Sequence, residues 1–166
     1  MYGYGLGYDV SLVKISIIQV GKTKDQWLNE GIAEYLKRLS TFVSIDVIEL
    51  PDVSLKVTDS STIVKAREAQ TILRRITQED YVVLLDENGM EKTSLEFAEF
   101  LVNMSERKNV VFVIGGVFGV DETVKNRADI RLALSKFTFT HRMARLILCE
   151  QLYRAMMINS NRPYHI

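Results

Sequence analysis

The residues best suited to chemistry lie near the end of the chain. From Leu134 to Arg142 the sequence reads LSKFTFTHR, which sets Ser135, Lys136, Thr138, Thr140 and His141 around Phe137 and Phe139. Hydroxyls alternating with rings in one loop suit a polar ligand held against an aromatic wall. A second candidate, Gly115-Gly116-Val117-Phe118-Gly119, lets backbone approach a ligand closely, although a plain turn explains those glycines equally well. Its spacing is not GxGxxG and no acidic residue stands where a nicotinamide ribose needs one, so a dinucleotide oxidoreductase is a poor reading. Val20-Gly21-Lys22-Thr23 shares the tail of a phosphate-binding P-loop, but the first glycine of that motif falls at Ser16, inside a strand. His141, His165 and Cys149 form no metal site at usual spacings. There is no GxSxG nucleophile, and Cys149 sits in an apolar helix, where a core role is expected.

These loops need a scaffold, and the chain alternates strand and helix. Val13–Val20 is a β-branched run stopped by Gly21. Helical spacing from Asp25 to Ser40 aligns Leu28, Ile32, Leu36 and Leu39. Ser44–Leu50 reads as a strand ended by Pro51, and Ser61–Ile76 as a helix with Ala66, Ala69, Leu73 and Ile76 inward. Tyr81–Leu85 is a short strand before a turn at residues 86–89, and Thr93 with Glu96 has capping-box spacing. Val110–Ile114, a helix near residues 121–128, a short strand at Ile130–Leu134 and a long helix from Arg142 to Ile158 complete the set. The expected fold is α/β, a single domain with a mainly parallel sheet and helices on both faces. Ligands bind beyond the carboxyl ends of such strands, which points to Leu85, Gly115-Gly116 and Leu134 onward.

Bulk properties narrow the class. With 166 residues, 47% hydrophobic and 25% charged, the chain is one globular domain able to bury a core. A single cysteine excludes an internal disulfide and fits a reducing, cytoplasmic setting. No apolar run reaches the roughly 18 residues of a membrane span. Residues 1–12, rich in Gly and Tyr, lack the features of a signal peptide and read as an appendage to the domain at 13–166. Net charge is zero, yet residues 125–166 carry eight Lys/Arg against Asp129 and Glu150, an excess of six that the first 124 residues balance. Such a segment suits a local anionic partner or a solvated helix face. The final helix is apolar nearly all round, which calls for burial against the sheet or another subunit.

Taken together, VKISIIQVGK, GIAEYLKRL, VVLLDENG, VFVIGGVFG, LALSKFTFTHRMARLILCEQLYRAMMI and NRPYHI resemble the RlmH (YbeA) family of small SPOUT-class methyltransferases of ribosomal RNA. The resemblance spans everything after residue 12. It implies a C-terminal trefoil knot, a homodimer, and S-adenosylmethionine as cofactor. It further implies methylation of N3 of a pseudouridine in large-subunit (23S) ribosomal RNA, on the assembled ribosome. By position, the cofactor residues are Leu85, Gly115, Gly116, Leu134, Ser135, Lys136, Phe137, Thr138 and Phe139. Arg154, His165 and His141 are the catalytic candidates, and Arg142, Arg145 and Tyr164 the RNA contacts. One departure is visible: the family has proline where Thr140 stands, which bears on the backbone of that loop. Two rivals remain, a non-catalytic RNA- or ribosome-binding module of this fold and a methyltransferase for another RNA such as tRNA. Neither a membrane nor a metal is expected.

Overall fold

A computed structural model describes residues 13–53 and 60–165; the appendage read at residues 1–12 lies outside them. Ten elements alternate along the chain: β1 (Lys14–Val20), α1 (Gln26–Leu39), β2 (Ser44–Leu50), α2 (Ser61–Leu73), β3 (Tyr81–Glu91), α3 (Ser94–Asn103), β4 (Asn109–Ile114), α4 (Glu122–Arg127), β5 (Ile130–Ala133) and α5 (His141–Asn159). The strands form one sheet in the order β2-β1-β4-β3-β5, with every pairing parallel.

Strand alternation sends successive side chains to opposite faces. Val110, Phe112 and Ile114 of β4 therefore join α1, α3 and α5 in one core. Val111 and Val113 join α2 and α4 in the other. Near-continuous apolar strands are what two covered faces demand. On α2 the buried residues are Val64, Glu68, Ala69 and Ile72, with Leu73 and Ile76 packed beside them, so of the expected stripe only Ala66 fails. Ala66 is exposed; helical spacing of small residues could not tell it from Val64.

Local chemistry sets the helix starts. Thr93 and Glu96 form the capping box, each side chain meeting the other residue's backbone amide. Asp121 caps α4 and Ser60 caps α2. Thr140 caps α5 by accepting the Met143 amide at 3.3 Å. Its φ of −63° and ψ of 149° are angles a proline would adopt. The loop thus keeps a proline-like path, and the hydroxyl adds a cap that proline lacks.

The chain reverses direction after β4. Helix α3 leaves β3 on one face, whereas α4 leaves β4 on the other and returns past β3 to β5. Adjacent strands whose exits diverge open a crevice at their carboxyl ends.

Candidate functional site

The crevice is a cleft of about 900 Å³. It is walled by the ends of β3, β4 and β5 and by the first residues of α1 and α5. Of the nine residues expected to hold a cofactor, Leu85, Gly115, Gly116, Leu134, Ser135, Phe137, Thr138 and Phe139 line it; Lys136 does not. His141 and Arg142 also line it, whereas Arg145, Arg154, Tyr164 and His165 do not.

Three backbone features shape the walls. The strand β3 runs on past the turn expected at residues 86–89. Leu85 and Met90 both pair with Leu132, so residues 86–89 bulge out between them. Inside the bulge the Asn88 amide donates to Asp86 Oδ1 at 3.0 Å. Gly89 is obligatory, because a Cβ there would lie 2.7 Å from the backbone of Arg131 and Leu132. After β4, Gly119 (φ +80°) donates to the Gly116 carbonyl and closes the glycine turn. After β5, the Phe137 amide donates to Ser135 Oγ at 3.0 Å, and Thr138 Oγ1 donates to Glu87 Oε2 at 3.0 Å. That last bond ties the aromatic loop to the β3 bulge across the cleft.

Exposed rings surround the opening. Phe137 is 80% exposed, and Trp27, Phe118 and Phe139 are exposed beside it. Large apolar groups held in water at one cleft mouth suit stacking on a planar ligand. Trp27 is not singled out by the sequence, whereas Asp86–Asn88 fall in the stretch from Leu85 onward. The carboxyl-end rule applied to the strand before Gly21 points to the Trp27 region, and Asp86 directly follows Leu85.

Charges of both signs line the cleft: Asp25, Asp86 and Glu87 with Lys65, Lys125 and Arg142. His141 is half-buried, and burial first, then Arg145 and Arg142, lower its pKa from the ordinary 6.5, which favours the neutral imidazole. Arg142 pairs with Asp25 at 3.1 Å. Arg145 departs from its expected place at an RNA surface. It is 1% exposed, donating to Thr23 Oγ1 at 2.7 Å and to the Val20 carbonyl. It braces the start of α5 against the end of β1 and offers a phosphate nothing. The helix turns Arg145 inward because it lies three residues before Leu148, on the core side.

The other candidates gather at the far end of α5. Arg154 pairs with Glu150, stands 4.8 Å from the centroid of the Tyr164 ring, and lies 3.4 Å from His165 Nδ1. Tyr164 donates to Glu150 at 3.3 Å and meets the Tyr35 hydroxyl at 3.3 Å. Burial, the Tyr35 hydrogen bond and the Glu150 charge push its phenol well above the usual range. Arg154 lies thirteen positions along the helix from His141, about 20 Å at 1.5 Å per residue. Catalytic and cofactor candidates are thus brought into two groups, not one.

The basic segment is largely neutralised. Lys125, Arg127, Arg131, Arg142 and Arg154 pair with Glu122, Asp129, Asp86, Asp25 and Glu150. Among the described residues only Lys136 and Arg162 of that segment are exposed with no carboxylate partner, and Arg162 lies over Phe42. Among those residues no group of three or more His, Cys, Asp or Glu could hold a metal, and no helix is long and apolar enough to cross a membrane.

A parallel sheet that opens a glycine- and aromatic-walled cleft at diverging strand ends has the form of a ligand-binding α/β protein. Residues 13–165 match the family model described as "Predicted SPOUT methyltransferase". The chain is 45% identical over 159 residues to the ribosomal RNA large subunit methyltransferase H of Ruminiclostridium cellulolyticum, covering 92% of this chain and 99% of that protein. It is 44% identical over 158 residues to the putative enzyme of that name from Methanoregula boonei, and 42% identical over 158 residues to that of an Exiguobacterium species, each with the same coverage of 92% and 99%. The chain belongs to the SPOUT methyltransferases and, within them, to the family of ribosomal RNA large subunit methyltransferase H.

Proposed function

We propose that the protein uses S-adenosylmethionine to methylate N3 of a pseudouridine in large-subunit ribosomal RNA on the assembled ribosome. The observation that carries the reading is the convergence of the three strand-end loops on one cleft. The relatives' names support transfer to ribosomal RNA. The cleft fits a nucleoside cofactor: its volume is in the usual ligand range, its glycines expose backbone amides and carbonyls, and its rings can cover a base.

When bound, the cofactor supplies an electrophilic methyl group. The protein's own task is then alignment and exclusion of water. Phe137 and Phe139 cover the cleft mouth, while Gly115, Gly116 and Leu134 present main chain to the ligand. N3 must lose a proton. Neutral His141 at the cleft is suited to accept one, and a guanidinium nearby favours the anion. Arg154 and His165 are the groups to orient the nucleotide, with Tyr164 holding Arg154 in place.

Those groups reach the cleft only from a second chain. Met143, Leu146, Ile147, Glu150, Arg154 and Met157 form a half-exposed stripe along α5. We expect it to pair with itself in a homodimer. An antiparallel pairing centred near Glu150 sets the partner's Arg154 opposite Leu146 and carries its tail toward the cleft. The trefoil knot is part of the same family reading. With most of the basic segment paired, a salt dependence shallower than that segment's nominal charge is expected.

The test is transfer of labelled methyl to ribosomes lacking the modification, beside free ribosomal RNA and tRNA. Label in ribosomal RNA, mapped to N3 of pseudouridine, is the expected result. Label in tRNA overturns the substrate. No label and no cofactor binding leaves an RNA-binding module of this fold.

A further inference from the structure

Five polar or charged side chains are buried among the described residues: Ser16, Gln19, Thr23, Glu68 and Arg145. Four have evident partners. Ser16 bonds Asn109, Gln19 donates to Glu49, and Arg145 donates to Thr23. Glu68 differs. It is 7% exposed, with no hydrogen bond from a described residue to its carboxylate, whose oxygens keep a little contact with solvent. The charge that acts on it is Asp52, which is of the same sign.

Its position explains why such a costly group matters. Both carboxylate oxygens lie 2.8 Å from the point where a side chain on residue 116 would begin. Glycine at 116 is what admits the carboxylate, and the same Gly116 lines the cleft. A carboxyl group therefore stands behind one residue's thickness of the cofactor wall. Burial and Asp52 raise its pKa, so the free protein holds this carboxylate in an environment that a nearby cation would relieve. The cleft's own cations do not relieve it: Lys125 and Arg142 are committed to Glu122 and Asp25, and Lys65, the other lysine at the cleft, is not among the charges that act on Glu68.

We propose that Glu68 is the charge-selecting residue of the cleft, its carboxylate behind Gly116 favouring a cationic sulfonium donor over the neutral thioether left after transfer. This rests on the cofactor reading above. S-adenosylmethionine and S-adenosylhomocysteine share the nucleoside, the ammonium and the carboxylate. They differ in one methyl group and one positive charge at sulfur. A buried carboxylate near that sulfur strengthens the first and not the second, which helps product leave. Glu68 acts through the wall and touches no reacting atom, so it is a positioning residue.

The experiment is calorimetric binding of S-adenosylmethionine and S-adenosylhomocysteine to the wild-type protein, Glu68→Gln, Glu68→Met and Glu68→Asp. Thermal unfolding of each variant checks the fold. Removing one charge at this range in a protein interior is expected to lower the donor-to-product affinity ratio by about ten-fold in the Gln and Met variants. Glu68→Asp keeps the charge and retains most of the ratio. If both affinities fall together and the ratio holds, Glu68 is a packing residue and the proposal is overturned. If either neutral variant fails to fold, the other reads the same ratio. Wild-type protein that binds neither ligand overturns the cofactor reading itself, a result distinct from an unchanged ratio.

Discussion

The two ends of α5 are built by opposite means. At its amino end the cleft is made of main chain, glycines and exposed rings, with a neutral histidine and charges of both signs. At its carboxyl end Arg154, Glu150, Tyr164, Tyr35 and His165 interlock through charge and aromatic contact. The first end suits holding a small ligand by shape; the second suits steering an anion. Along one helix they stand about 20 Å apart, and the proposed reading joins them through a second chain.

The sharpest way to break this division is a mixed dimer. Arg154→Ala is expected to lower methyl transfer about 100-fold or more while S-adenosylmethionine binding stays within about two-fold. Phe137→Ala is expected to weaken that binding about ten-fold through loss of a covering ring. Because the two lesions fall at opposite ends, co-assembled mixtures of the variants should regain about a quarter of the wild-type rate. No regain in verified heterodimers would place both functions in one chain.

Glycine substitutions sharpen the cleft's side of the comparison. Gly89→Ala drives a Cβ into backbone at 2.7 Å and is expected to cost about 2–3 kcal/mol by denaturant unfolding. Gly116→Ala meets the Glu68 carboxylate, a side-chain end and not backbone, at 2.8 Å and should cost less, about 1–2 kcal/mol. Equal costs would mean that the β3 bulge can yield.

Acid should act at the cleft end through His141. Its pKa is lowered on folding, so the unfolded chain binds more protons below pH 6.5. Stability from this residue is present above that pH and is lost as pH falls toward the folded value. Unfolding curves between pH 7 and 5 should slope less in His141→Gln than in wild type. A parallel slope would assign the acid loss elsewhere. The smallest effect is expected at Cys149, buried mid-helix with its thiol pushed up to about 12. Native protein at pH 8 should take up essentially no thiol reagent over the time in which unfolded protein is fully labelled.

Much of this was legible in advance where the signal is local. Strand runs such as Val110–Ile114 and the Thr93–Glu96 box depend on neighbours in sequence, and they stand where expected. The cleft-lining loops were found because ligand sites in parallel sheets follow strand ends. The misses share another cause. Arg142 and Arg145 look alike as letters, yet three residues of helix leave the first at the cleft and bury the second under Thr23 and Val20. Ala66 and Val64 compete for one stripe, and the opposing strands decide between them.

By itself, then, the order of residues determined the alternation of elements, the three loops and the family, because periodicity, turn residues and motif identity are carried by the chain alone. Only the tertiary structure decided which charges remain free, that Leu85 and Met90 share one partner across a bulge, and that Glu68 stands behind Gly116. Those outcomes depend on which side chain meets which across dozens of residues, and pairing at that range is settled by packing, not by sequence neighbours.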